Sequence, residues 1–168
     1  MDDPSIVGLA RAAVAGDEAA LASFHAALQA FVFGGEGHLG SHLGVEVVSV
    51  ARDRVVMRLP WRRALRRGGD IFHGGALMAL ADHVAGCLFN TDPRIVAEGL
   101  TGLTTDFNVS FLRAAAPGEA VVALGTVLRR GRNVTFMQID VTAEGSGKAV
   151  ATCRTTYLTV PRARLGAG

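Results

Sequence analysis

The stretch Phe72-His73-Gly74-Gly75-Ala76-Leu77-Met78-Ala79-Leu80-Ala81-Asp82 opens the strongest helical pattern in the chain. From Gly74 to about Asn90 the apolar residues recur at helical spacing, and they form one stripe that consists of Leu77, Leu80, Ala81, Val84 and Leu88. Most of the other residues are small, so this slim helix can lie close against a sheet. The turn signal Thr91-Asp92-Pro93 predicts that the helix stops there.

The segments on both sides of this helix have the alternation that is typical of strands. Before it, residues 45–50 and 55–59 predict a hairpin, and a loop follows as far as Phe72. After about Gly102 the pattern predicts four more strands, over 105–111, 119–128, 134–141 and 150–160. Short turns join neighbouring strands, so the sheet should be largely antiparallel. One long helix on such a sheet predicts the α+β class.

Both ends of the chain are expected to lie outside this unit. Residues 5–32 predict helix, divided near Gly16, with Asp17 as the N-cap of the second part and glycines at 34–37 as its end. The arm would serve packing or dimerisation. We expect a helical arm, a main domain and a loose tail, over 1–37, 38–160 and 161–168 respectively.

Composition indicates an ordinary folded domain. The chain has 168 residues, of which 49% are hydrophobic and 19% are charged, and its formal net charge is +2. This charge is too small to indicate a nucleic-acid partner, and no apolar run reaches the length of a membrane span. Cys87 and Cys153 lack zinc-ligand spacing, so we expect free thiols and no metal. The acidic N-terminus lacks a signal-peptide pattern, so we expect a cytoplasmic protein.

The start of the long helix has the properties of an oxyanion site. Helix N-termini leave N–H groups without partners and carry a partial positive charge. Gly74 and Gly75 have no side chain to block a carbonyl group that approaches these donors. We expect His73 to orient this turn rather than to act as an acid or a base.

Asp82 is the second candidate catalytic group. It lies eight residues beyond Gly74, which places it about 12 Å further along the helix axis. One reacting group cannot easily contact both residues. We therefore expect a two-fold dimer in which each site takes Gly74 from one subunit and Asp82 from the other. The carboxylate would act as general base or nucleophile, and the alternative is a solvated helix aspartate.

The motif His-Gly-Gly, six further residues and Asp82, with Thr-Thr-Asp-Phe-Asn-Val-Ser-Phe-Leu-Arg downstream at 104–113, resembles a known family. It is similar to the hotdog-fold acyl-CoA thioesterases of the phenylacetate-degradation type, relatives of 4-hydroxybenzoyl-CoA thioesterases. The resemblance covers about residues 40–160. It implies a long central helix wrapped by an antiparallel sheet and homodimers paired into tetramers. It also implies hydrolysis of an acyl-CoA without a cofactor.

The resemblance also implies roles for single residues. Gly74 would polarise the thioester carbonyl through its N–H, and Asp82 would be nucleophile or general base. Thr104 occupies a position where the family often has a hydroxyl that assists water or substrate. The family commonly has an asparagine six positions before the histidine, where this chain has Arg67. One polar contact near the thioester should therefore differ.

Substrate contacts are expected from two sets of residues. Phe72, Leu77 and Met78, beside Gly75, would line a pocket for an aromatic or medium-chain acyl group. Arginine binds phosphate through a planar fork, and the turn Arg130-Gly131-Arg132-Asn133 resembles the family's basic turn near CoA. Arg113 and Arg67 are further candidates for the anionic substrate. The alternative for these arginines is ordinary solvated turns.

Two other functions remain open for this fold. Some hotdog proteins hydrate enoyl thioesters with an Asp–His pair, but His73 and Asp82 lie about 13 Å apart along the helix axis. Others only bind and sense acyl-CoA beside a DNA-binding segment, which is not recognisable in this chain. Absence of enoyl-CoA hydration would dispose of the first alternative, and tight binding without thiol release would favour the second.

Overall fold

A computed structural model describes residues 3–31 and 38–165. Its helices are α1 (Pro4–Val14), α2 (Glu18–Phe31), α3 (Leu39–Leu43), α4 (Gly74–Phe89) and α5 (Pro93–Ala97). Its strands are β1 (Glu46–Ala51), β2 (Arg54–Leu59), β3 (Leu100–Phe111), β4 (Val121–Arg130), β5 (Val134–Ala143) and β6 (Ala149–Pro161). The predicted helix end at 34–37 lies outside the described residues.

The six strands form one antiparallel sheet in the order β1-β2-β4-β5-β6-β3, and α4 packs against one of its faces. Leu80, Val84 and Leu88 of α4 are fully buried in the core. A Cβ atom at Gly125 of β4 would lie 2.5 Å from the side chain of Val84, so only glycine allows so close an approach. The predicted α+β class, with one long helix covered by an antiparallel sheet, is confirmed.

The N-terminal helices are packed into the same core. The Asp17 side chain accepts a hydrogen bond of 2.9 Å from the Ala20 N–H and caps α2, as predicted. Ile6 of α1 and Phe24 and Leu28 of α2 are buried. Helix α1 contacts α5, and α2 contacts β1. The apolar faces of both helices are therefore already covered within the subunit.

Helix α4 ends at Phe89, just before the turn signal Thr91-Asp92-Pro93, as predicted. Pro93 then begins α5, a short helix that was not predicted and that Asp92 caps through the Arg94 N–H. Helix α3 was not predicted, since five residues are too few for a periodicity. Within the expected loose tail, residues Arg162–Leu165 form a 3₁₀ helix, and the Arg162 N–H donates to the Gly99 carbonyl at 2.9 Å.

Strand β3 lies at the edge of the sheet. It pairs with β6 on one side, and within the described part of the chain no strand pairs with its other side. Thr104 lies opposite Tyr157 in this pairing, and the register shifts between Thr104 and Asp106. The strand therefore brings Thr104 next to a β6 side chain that faces α4.

Candidate active site

The N-terminal turn of α4 is held by His73. The imidazole Nδ1 of His73 accepts a hydrogen bond of 2.9 Å from the Gly75 N–H. The backbone N–H of His73 donates to the Leu65 carbonyl at 2.8 Å. Among the hydrogen bonds of the described residues, none uses the Gly74 N–H. The two glycine donors thus differ, because Gly75 is occupied by the cap while Gly74 remains available to a ligand.

A cavity of about 410 Å³ lies beside this turn. Gly74, Phe72 and Leu77 line it from the region of α4, and Phe111 and Leu112 line it from the end of β3. Arg67 and Arg113 complete its wall. A Cβ atom at position 74 would lie 3.2 Å from the Phe111 ring, so this glycine allows the ring to close over the helix start. The cavity therefore combines apolar walls, a free N–H and two cations.

Met78, which we expected in the pocket, is not among the lining residues of this cavity. Its side chain is 40% exposed, so within one subunit it contacts solvent rather than the space beside Gly74. Phe72 and Leu77, by contrast, are buried and line the cavity as the sequence predicts.

Asp82 lies on the exposed side of α4 and meets Tyr157 of β6. The Tyr157 hydroxyl donates to Oδ1 of Asp82 at 3.2 Å, and Thr104 lies opposite Tyr157 in the β3–β6 pairing. Burial is the main cause that raises the pKa of Tyr157 above its ordinary value, and the nearby Asp82 charge adds to it. The structure thus brings Asp82 and Thr104 together through a third residue.

Tyr157 is the site residue that the sequence reasoning missed. It lies 75 residues from Asp82, and nothing in its local sequence marks it. The only available signal was its position in the last strand, in register with Thr104. That register depends on the β3–β6 pairing, which the pattern of strands predicts only roughly.

Gly74 and Asp82 are not brought together within one subunit. Asp82 lies eight positions beyond Gly74 on one unbroken helix, or about 12 Å further along its axis. The cavity beside Gly74 does not include Asp82 among its lining residues. A single chain therefore presents the free Gly74 N–H and the Asp82 carboxylate at two separate places.

The residues of the predicted basic turn, 130–133, make different kinds of contact. The Arg130 guanidinium donates to the Asp53 carboxylate at 2.6 Å, to the Phe89 and Leu88 carbonyls, and to the Thr91 hydroxyl. This side chain is only 12% exposed. Gly131 and Arg132 line a smaller cavity of about 150 Å³, and the Asn133 carbonyl accepts from the Thr159 N–H. Arg130 therefore caps the C-terminal end of α4.

Two general features complete the description of residues 3–31 and 38–165. Within these ranges, no group of three or more His, Cys, Asp or Glu side chains is placed to hold a metal ion. No helix there is both long enough and apolar enough to cross a membrane.

Comparison with known proteins places these features in a family. The sequence profile of the thioesterase superfamily matches residues 69–150. The chain is 37% identical over 123 residues to a "Putative esterase" of Deinococcus radiodurans, covering 71% of this chain and 72% of that protein. It is 26% identical to human "Acyl-coenzyme A thioesterase 13" over 112 residues, covering 67% and 77% of the two chains.

A solved structure gives the same result. A thioesterase from Haemophilus influenzae superposes with a TM-score of 0.69 at 26% identity, covering 76% of this chain and 85% of that one. The match supports the hotdog arrangement of a long helix wrapped by an antiparallel sheet. Taken with the identity to the Deinococcus protein, it shows that this chain belongs to the thioesterase superfamily and is a thioester hydrolase.

Proposed function

We propose that this protein hydrolyses an acyl-CoA to the free acid and CoA, with an aromatic or medium-chain acyl group. The observation that carries the proposal is the free Gly74 N–H at the wall of an apolar cavity that also contains Arg67 and Arg113. The cavity size lies in the range of small-molecule sites, which is roughly 300–1,000 Å³. The name of the human relative supports the acyl-CoA class.

The proposed site is shared between two subunits. Because Gly74 and Asp82 lie about 12 Å apart along one helix, a thioester that contacts both requires a second α4 running antiparallel to the first. The exposed Asp82 and the unpaired edge of β3, judged within the described residues, are both available to a second copy. A two-fold dimer would contain two such sites. Pairing of dimers into tetramers rests on the family resemblance.

In this arrangement the chemistry is divided between the chains. The thioester carbonyl oxygen would accept a hydrogen bond from the Gly74 N–H, which stabilises the negative charge that develops on that oxygen. Asp82 of the partner subunit would either take a proton from the attacking water or attack the carbonyl carbon itself. In both cases the C–S bond breaks, and CoA leaves as a thiolate that is then protonated.

The guanidinium groups suggest how the anionic part of CoA is held. Within residues 3–31 and 38–165, no carboxylate forms an ion pair with Arg67 or Arg113. Both line the Gly74 cavity and are available to phosphate. Arg132 is a candidate from the turn after β4, together with Gly131 and Asn133. Arg130 is already engaged by Asp53 and by the end of α4, so we assign it a structural role first.

The test is thiol release from a panel of acyl-CoA esters by the wild type and by Asp82→Asn. We expect release to fall by about 1,000-fold or more in the variant if the carboxylate acts in the chemical step. Glu18→Gln, which removes an exposed carboxylate on α2, is the matched control and should leave release unchanged. Binding of CoA esters without release from any ester would indicate the sensing module instead. Hydration of an enoyl-CoA would indicate the hydratase.

Single-turnover hydrolysis in isotopically labelled water tests for a nucleophilic Asp82. If the carboxylate attacks the thioester, it displaces CoA and forms a mixed anhydride; attack of water on the Asp82 carbon of that anhydride puts solvent oxygen into Asp82 and an Asp82 oxygen into the first product. General-base catalysis, like attack of water on the acyl carbon of the anhydride, labels the product only, so label in Asp82 identifies the nucleophile.

A further inference from the structure

Tyr157 occupies a space beneath α4 that Gly102 keeps open. It is the only tyrosine of the chain, and its side chain is 6% exposed. Its ring centroid lies 5.6 Å from that of Phe89. A Cβ atom at Gly102 would lie 2.6 Å from the Tyr157 ring, and one at Gly86 would lie 3.9 Å from its hydroxyl. The phenol is therefore held in one position by packing on several sides.

From this position the hydroxyl reaches the carboxylate of Asp82. The phenol hydrogen can be donated only once, and it is donated to Oδ1 of Asp82 at 3.2 Å. Thr104 lies opposite Tyr157 in the β3–β6 pairing, so the three side chains follow one another from Thr104 through Tyr157 to Asp82. Oδ2 of Asp82 has no partner among the hydrogen bonds of the described residues. One carboxylate oxygen is thus fixed, while the other is free to react.

We propose that Tyr157 is a positioning residue that holds Oδ1 of Asp82 and leaves Oδ2 for the attacking water or the thioester, and that Thr104 acts through Tyr157. The proposal rests on the proposed role of Asp82 in hydrolysis. A neutral phenol buried in an apolar space keeps its proton through the neutral range, so the donor is present whenever Asp82 is ionised. Such a hydrogen bond orients the carboxylate at little cost in entropy, because the ring is already immobilised.

The kinetic test uses Tyr157→Phe, which removes the hydroxyl and keeps the ring. We expect kcat to fall by about 10- to 100-fold, as is usual for loss of a hydrogen bond to a charged group, with little change in KM. Thr155→Val is the matched control. It removes another buried hydroxyl of β6, one that donates to the Asp106 carbonyl, and should leave kcat unchanged. An unchanged kcat in Tyr157→Phe would overturn the proposal.

The role of Thr104 is tested in the same series. If Thr104 acts through Tyr157, Thr104→Val lowers kcat in the wild type but has no further effect in the Tyr157→Phe background. If Thr104 contacts water or substrate directly, as the family resemblance implies, the two losses multiply. Multiplying losses would overturn the proposed chain while leaving the hydrolase itself intact.

A spectroscopic test does not depend on turnover. Because the chain has one tyrosine, ¹³C-labelling of tyrosine gives a single Cζ resonance that reports on Tyr157. We expect this resonance to move in Asp82→Ala, which removes the acceptor, and to stay in place in Glu18→Gln. An unchanged resonance in Asp82→Ala would show that the contact does not exist in solution, even if no thioester substrate has been found.

Discussion

Helix α4 ends in opposite ways at its two termini. At the N-terminus the Gly74 N–H has no acceptor among the described residues, and Gly74 itself has no side chain that could cover it. At the C-terminus the Leu88 carbonyl accepts from both Thr91 and Arg130, and the Phe89 carbonyl accepts from Arg130. One end leaves an N–H without a partner among the described residues, while the other satisfies its carbonyls with side-chain donors. Activity and stability should therefore respond separately to changes at the two ends.

Among changes at the two ends of α4, the largest effect is expected from removal of the Gly74 N–H. Gly74→Pro deletes the donor at a position where proline fits a helix, since His73 before it is already extended. We expect kcat to fall by about 100- to 1,000-fold, as for loss of an oxyanion donor. Gly74→Ala is the control, because it adds the same Cβ atom against Phe111 but keeps the N–H. Equal losses in both variants would mean that the shape of the cavity matters rather than the donor.

Substitution of Arg130, at the C-terminal end of α4, should affect stability rather than activity. Arg130→Met removes the guanidinium donor from the Asp53 carboxylate and from the Phe89 carbonyl, and one of the donors to the Leu88 carbonyl, and we expect a loss of roughly 2–4 kcal/mol in the free energy of unfolding. Urea denaturation measures this loss, and kcat per folded molecule should not change. Arg129→Met removes an exposed arginine from the same strand and should cost under about 0.5 kcal/mol. A fall in kcat without a loss of stability would place Arg130 at the substrate.

Substitutions of His73 test whether the N-cap of α4 is also required for stability and activity. His73→Ala removes the acceptor of the Gly75 N–H and should cost about 0.5–2 kcal/mol. His73→Asn supplies a side-chain oxygen at the same N-cap and should recover both stability and most of the activity. Thermal unfolding and thiol release are measured together. An inactive but stable His73→Asn would indicate that the imidazole takes part in proton transfer.

The smallest effect is expected in the pH dependence of stability, to which Cys87 contributes as a buried residue near the C-terminal end of α4. Burial raises the pKa of this thiol to about 12, whereas an unfolded cysteine titrates near 8.5. The folded protein therefore keeps the proton while the unfolded chain releases it, so stability should fall as the pH rises above about 8.5. A thiol reagent at neutral pH should react with Cys87 only after denaturation. Rapid modification of Cys87 in the native protein would show that the C-terminal end of α4 opens readily.

Sequence periodicity predicted α4 and all six strands because each is long enough for several repeats of its pattern. It missed α3 and α5, which are five residues each and depend on caps. The sequence placed Arg130 in a basic turn near CoA, with a solvated turn as the alternative, since nothing local reveals that the side chain hydrogen-bonds the Leu88 carbonyl. The motif around Gly74 was informative because its chemistry lies in consecutive residues. Contacts between Tyr157 and Asp82 depend on register across the whole domain.

The separation of Gly74 and Asp82 along α4 also has a genetic consequence. With the site divided between two chains as proposed, a chain defective at Gly74 and a chain defective at Asp82 would each form inactive homodimers. A mixed dimer of the two would regain one intact site, formed by the sound half of each chain, beside one doubly defective site. Two null alleles would thus complement each other, whereas two alleles damaged at the same residue would not.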